Sequence, residues 1–152
     1  MPKYFMRVFS RSFENGARIP DKYTCEGENK SPSLGWDKVN GALTYAIIAE
    51  DPDAPGGTFV HWVIYNLSET EVQEGIVPDS PVGVQGKNDF GKIGYGGPCP
   101  PRGHGIHRYY FRVYAINEKL PVLSGITARR LRELMKNKVI DSGEIMGTYS
   151  RE

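Results

Sequence analysis

Four stretches of alternating residues, at positions 4–10, 43–51, 59–67 and 107–117, constrain this chain more than anything else in it. A period of two puts every second side chain on the same side of an extended backbone, so each stretch reads as a strand. Between them run long segments rich in glycine and proline, of which the 152 residues include 18 and 11. These residues punctuate secondary structure, and the pattern predicts a mainly β chain with long loops. Asn15-Gly16 and Asn40-Gly41 read as hairpin-type turns, because both residue types tolerate positive φ. A further strand is expected over 145–150. One helix is expected over 127–139, with Thr127 as N-cap and Leu131, Leu134, Met135 and Lys138 or Val139 as its apolar stripe. Its Arg129, Arg130, Arg132, Lys136 and Lys138 read as the solvated face of an amphipathic helix.

Length and composition bound the rest. The chain reads as one domain, 1–152, long enough to bury roughly 68–70% of its unfolded surface without a staple. A net charge of +1, from 19 basic against 18 acidic residues, excludes a polybasic nucleic-acid binder and an acidic tail. Met1–Arg7 lacks the apolar stretch of a signal peptide. The longest apolar run, residues 45–49, is far short of the ~18 needed to span a membrane. A cytoplasmic location is expected. Cys25 and Cys99 are too few for a disulfide framework and lie in no C-x-x-C pattern, so they read as reduced thiols, with a single bridge as the alternative.

The strand faces locate the polar candidates. One face of 43–51 carries Leu43, Tyr45, Ile47, Ala49 and finally Asp51. One face of 59–67 carries Phe59, His61, Val63, Tyr65 and Leu67, and one face of 107–117 carries His107, Tyr109, Phe111, Val113 and Ala115. If the first two pair through loop 52–58, Asp51 and His61 fall at the same end. His107 follows the glycine-rich loop 91–105 and joins them there. A carboxylate bonded to an imidazole fixes its tautomer and raises its pKa, so the ring can donate to an anionic ligand. Either histidine alone reads as a satisfied core residue; two beside an acid read as a site. Asp53 reads as a loop-ordering acid that accepts backbone N–H groups.

Rival chemistries use the same residues. The loop 91–105 offers backbone N–H groups to an anion, but it matches neither dinucleotide fingerprint nor P-loop, and no helix follows it. His104 and His107 with Asp51 form a weak metal-ligand pattern. Cys99, His107 and Asp51 form a weak thiol-hydrolase set, with Gly96 and Gly97 as oxyanion donors. Arg108-Tyr109-Tyr110-Phe111-Arg112 reads as a core strand rather than an RNA-stacking surface. Asn66-Leu67-Ser68 is a glycosylation sequon with no secretory signal to accompany it.

From about Phe9 onward the sequence resembles the phosphatidylethanolamine-binding protein family, also called the Raf kinase inhibitor protein family, in its short prokaryotic branch. The resemblance is carried by Thr24-Cys25-Glu26-Gly27-Glu28-Asn29, Ser31-Pro32-Ser33-Leu34-Gly35-Trp36, Asp51-Pro52-Asp53-Ala54-Pro55, Phe59-Val60-His61-Trp62, and Gly97-Pro98-Cys99-Pro100-Pro101 through His107-Arg108-Tyr109. It implies an antiparallel β-sandwich with one or few short helices and a small anion pocket at its end. Asp51, His61, Gly97, Pro101, His107 and Tyr109 correspond to pocket residues that receive phosphate- or carboxylate-bearing ligands. Phe59 stands where animal members have a pocket tryptophan, and Cys99 replaces a pocket glycine. The resemblance also implies a cis Ala54-Pro55 peptide. Longer eukaryotic members close the pocket with a C-terminal helix, so this chain is expected to have an open pocket or one covered by a second subunit in a homodimer. Kinase inhibition belongs to particular eukaryotic members and does not transfer from these motifs. The expectation is a non-enzymatic binding module for a small anion, a regulator or inhibitor of a kinase- or protease-type partner, without cofactor or nucleic acid. The alternative is a small hydrolase using Cys99 or a metal ion at the same pocket.

Overall fold

A computed structural model describes residues 6–152. The strand expected over 4–10 therefore lies partly outside the described residues, and its observed portion is β1, Val8–Phe9. The chain continues through a single 3-10 turn at Asp21–Tyr23 to β2 (Leu34–Trp36), β3 (Thr44–Asp51), β4 (Phe59–Leu67), β5 (Glu71–Val72) and β6 (Val84–Gln85). It then forms β7 (His107–Ile116), α1 (Ala128–Met135) and β8 (Val139–Tyr149). A three-stranded sheet has the order β1-β2-β5, and a five-stranded sheet the order β6-β4-β3-β7-β8. Every strand pair in both is antiparallel.

The two sheets pack face to face. Val8, Leu34, Trp36 and Val72 of the small sheet bury against Tyr45, Ile47, Trp62, Ile64, Phe111, Val113 and Ile145 of the large one. The opposite face of the large sheet, carrying Ala46, Ile48, Val63 and Tyr65, packs under Leu131 and Met135 of α1. β3 lies in the middle layer, and all eight of its residues are buried. Leu43, assigned to its inward face by alternation, precedes the strand and is 65% exposed.

β4 departs from simple alternation for a local reason. Ala49 pairs with Trp62, but Glu50 pairs with Val60, so His61 is one residue too many for its partner strand. A second surplus lies between the Tyr45–Leu67 and Ile47–Ile64 pairs, where Asn66 takes the left-handed conformation (φ 58). Each bulge shifts the side-chain phase by one residue. Trp62, Ile64 and Leu67 therefore enter the core between the sheets, while Val63 and Tyr65 face the helix. The face expected from 59, 61, 63, 65 and 67 is corrected accordingly.

Other boundaries shift for equally local causes. Thr127 caps α1 by accepting the Arg130 N–H at 3.1 Å. Asn137 takes a left-handed φ of 67 and the chain leaves the helix, so 136–139 is not its last turn and β8 begins at Val139. The face read as solvated is tied down at Arg132, which donates to the buried Glu50 together with Arg112. Neither turn signal joins two paired strands. Gly16 (φ 84) lays the chain onto the β8 edge, its N–H donating to the Met146 carbonyl, and Gly41 (φ 89) lies on the connection from the small sheet to the large one.

Replacing Thr127 with Ala should lower stability by about 1 kcal/mol, the usual cost of an N-cap. Urea denaturation checks this, and an unchanged midpoint would mean that packing alone holds α1 on the sheet.

Candidate functional site

Three strand ends meet at one end of the large sheet. β3 delivers Asp51 as its last residue, β4 delivers Phe59 opposite it, and β7 begins with His107 and Tyr109. The first bulge brings His61 to the same side. Together with Ala54, Pro55, Phe90, Cys99, Pro100 and Pro101 these residues line a cavity of about 160 Å³. Phe59, His61 and Phe90 pack ring against ring, with centroids 4.8 to 5.5 Å apart. The wall is mostly apolar and, among the described residues, holds neither Lys nor Arg.

His107 and Asp51 are 1% and 2% exposed. The His107 Nδ1–H donates to Asp51 Oδ2 at 2.6 Å, and Asp51 Oδ1 accepts the Asp53 N–H at 2.7 Å, so both carboxylate oxygens are engaged. The imidazole is thereby held in one tautomer, with Nε2 as its second functional atom. That atom lies 2.7 Å from Nδ1 of His104, an exposed residue.

His61 is oriented by backbone. The bulge removes its carbonyl from the β3 ladder, and that oxygen accepts the Gly96 N–H at 2.9 Å. Its Nδ1–H donates to the Gly96 carbonyl at 2.6 Å, leaving Nε2 bare in the neutral ring. Burial holds its pKa below the ordinary 6.5, against the opposing pull of the Gly96 carbonyl and the Asp51 charge. The Tyr109 phenol is pushed well above its ordinary range, first by burial and then by the Asp51 carboxylate. The ring is therefore a neutral hydrogen-bonding group.

The loop that carries Gly96 is stitched in place. Gly97 N–H donates to Asn29 Oδ1 at 2.8 Å, Tyr95 Oη donates to the Tyr23 carbonyl at 2.7 Å, and Cys25 N–H donates to the Pro98 carbonyl at 3.1 Å. A Cβ on Gly97 would sit 2.2 Å from the Tyr23 oxygen, so no side chain fits there. Gly97 does not line the main cavity; it lines a neighbouring one of about 280 Å³ that shares Phe90 and Cys99 with it.

Two expectations are corrected here. Cys25 and Cys99 are not reduced thiols; they form a disulfide across 74 residues. Their Cα atoms stand 5.4 Å apart, a distance set by loop packing that compartment arguments did not weigh. With its sulfur in that bond Cys99 has no thiolate, and the hydrolase alternative loses its nucleophile. Ala54-Pro55 is trans, and no cis peptide occurs among the described residues. The turn is made instead by Gly57 at φ 109, whose N–H donates to the Ala54 carbonyl at 3.1 Å. Among the described residues no three His, Cys, Asp or Glu side chains gather to hold a metal ion.

Asp53 stands beside the cavity rather than in it. It accepts the Arg108 backbone N–H at 2.9 Å and both prongs of its guanidinium at 2.8 and 2.9 Å, and this fork holds the carboxyl near pKa 2. Phe90 was missed by sequence reading, because its wall position depends on the turn in which Asn88 Oδ1 accepts the Phe90 and Lys92 N–H groups.

The family profile for phosphatidylethanolamine-binding protein matches residues 9–150. The chain belongs to that family. The UPF0098 protein of Aquifex aeolicus is 48% identical over 153 residues, covering 97% of this chain and 90% of the relative. The UPF0098 protein of Pyrococcus horikoshii is 45% identical over 150 residues, covering 94% and 76%. Among solved structures, the phosphatidylethanolamine-binding protein homologue CT736 of Chlamydia trachomatis superposes with a TM-score of 0.90 at 38% identity, covering 97% of this chain and 99% of its own. Carboxypeptidase Y inhibitor, solved with its cognate proteinase, shares the fold at a TM-score of 0.55 and 16% identity, covering 97% and 83%. In this family member no helix is long and apolar enough to cross a membrane among the described residues.

Replacing both cysteines with serine should lower stability by about 2–4 kcal/mol, from the loop entropy returned to the unfolded chain. Guanidinium denaturation measures it, and a loss below roughly 0.5 kcal/mol would show that the loop's hydrogen bonds suffice. His61 gives a pH dependence. Its folded pKa is depressed, so its contribution is complete above about 6.5 and falls as acid protonates the unfolded chain first. The protein should lose stability between about pH 7 and about pH 5, and His61→Gln should lose less over the same window. Equal losses would contradict the burial argument.

Proposed function

We propose that this family member binds a small phosphate- or carboxylate-bearing ligand in the cavity lined by Asp51, Phe59, His61, Pro101, His107 and Tyr109, without chemical turnover. Gly97 acts behind the wall, holding the loop that orients His61. The observation that carries this reading is the fixed His107 ring: a buried carboxylate takes its Nδ1–H at 2.6 Å, so the ring is aligned and held in one tautomer at a cavity wall. The cavity holds about one headgroup, and its Phe59 and Phe90 rim suits an apolar remainder. A homodimer that covers this rim belongs to the same reading, and so does a cytoplasmic location. A regulated protein partner of kinase or protease type is supported only by fold, through the likeness to carboxypeptidase Y inhibitor.

Calorimetry with O-phosphorylethanolamine tests the pocket. His107→Ala should weaken binding by about tenfold or more, the worth of a hydrogen bond to a charged group, and Asp51→Asn should weaken it by loss of ring orientation. Unchanged affinity in both variants would remove the cavity from the account. Light scattering should give twice the 17.0 kDa chain mass; a single-chain mass at micromolar concentration would remove the dimer.

A further inference from the structure

His107 reaches the cavity wall with one nitrogen already spent. Asp51 takes Nδ1, and Nε2 is the atom left to meet a ligand, yet His104 Nδ1 stands 2.7 Å from it. An anion that takes the His107 Nε2–H must displace His104 or share it. The backbone allows movement: His104 is exposed and lies between Gly103 (φ 73) and Gly105 (φ 98), and a Cβ on either glycine would meet nothing within 4 Å. The turn beneath is anchored by the His104 N–H on the Pro101 carbonyl at 3.1 Å and the Gly103 N–H on the Arg151 carbonyl at 2.9 Å. The ring can therefore swing while its root stays beside the pocket.

We propose that His104 is a gate and second anion donor for this pocket: it caps His107 Nε2 in the empty protein and turns onto the bound anion once both rings are protonated. This rests on the anion reading above and goes beyond it in naming a further binding residue and the proton count of binding.

The proton count follows from the two bonds. With both rings neutral, His107 carries its proton on Nδ1 for Asp51, so Nε2 is bare and accepts from His104 Nδ1–H. With one added proton the contact also survives, because one N–H still faces one lone pair. With two added protons an N–H faces an N–H, the contact breaks, and both rings become donors. Anion capture through both rings thus takes up to two protons relative to the neutral pair, where a His107 acting alone takes one.

Facing His107 are Asp51 from β3, Tyr109 from β7 (6.4 Å between ring centroids), and the Asp53–Arg108 pair beyond. His61 packs on Tyr109 at 5.2 Å. On the His104 side stand Arg102 and Arg151, both directed to Glu26. Asp53 titrates near 2 and Tyr109 far above its usual range, while arginine stays charged. Burial moves the His61 transition below the ordinary imidazole range.

Sulfate is the probe, because its double charge is constant over the histidine range. Its affinity should be measured by calorimetry from about pH 8 to about pH 5 for the wild type and for His104→Gln, which keeps an amide donor but does not titrate. Affinity should rise with acid in both proteins, more steeply in the wild type by as much as about tenfold per pH unit, the linkage expected for one extra proton. Nitrogen NMR of His104 should show Nδ1 leaving its hydrogen bond as sulfate saturates the wild type. Parallel slopes with binding retained would overturn the gate and leave the pocket reading standing. Absence of sulfate and O-phosphorylethanolamine binding in both proteins at every pH would overturn the pocket reading, and the gate with it. His104 is exposed, so equal urea midpoints at about pH 8 should show that the substitution leaves the fold intact.

Discussion

A strand covered on both faces leaves its last residue little choice of company. β3 lies between the small sheet and α1, all eight of its residues are buried, and the eighth is a carboxylate. Such a group is costly unless its oxygens are bonded. Asp51 finds its partners in the Asp53 amide and the His107 ring, and in doing so fixes the imidazole of a residue 56 positions away. The site thus grows out of a requirement of the core. The same bond that makes a buried aspartate tolerable gives the cavity an oriented histidine.

Much of the architecture was legible because the controlling signals are local and repeated. β4 was bounded at Phe59 and Leu67, and β3 and β7 within one residue, from alternation alone. The inward faces of β3 and β7 also held from Tyr45 and His107 onward, since neither strand contains a surplus residue. β4 was harder: Val60 through Tyr65 are nearly all apolar, so the sequence permits either phase, and the choice was made by which residue β3 left unpaired. The small sheet was nearly invisible. Strands of two or three residues carry no periodicity to read, and they exist because the large sheet offers them a face.

The site divided along the same line. Asp51, His61 and His107 could be grouped because each lies at or within two residues of a strand end, and strand ends follow from strand limits. What depended on loops was lost. The Cys25–Cys99 bond joins two irregular segments whose proximity no local pattern encodes. Phe90 reaches the wall through a side-chain-capped turn, and His104 meets His107 because the glycines on either side of His104 bend the chain.

The paired bulges of β4 have an evolutionary consequence. They behave like two compensating frameshifts in a message: the first alters which positions are read as inside, and the second restores the original reading before the strand ends. Because neither surplus residue has a partner on β3, a descendant that lost either one would regain simple alternation there with Trp62, Ile64 and Leu67 still facing the core. Length in this strand can therefore change by single residues without turning an arm inside out, and a lineage that sheds the first surplus residue surrenders His61.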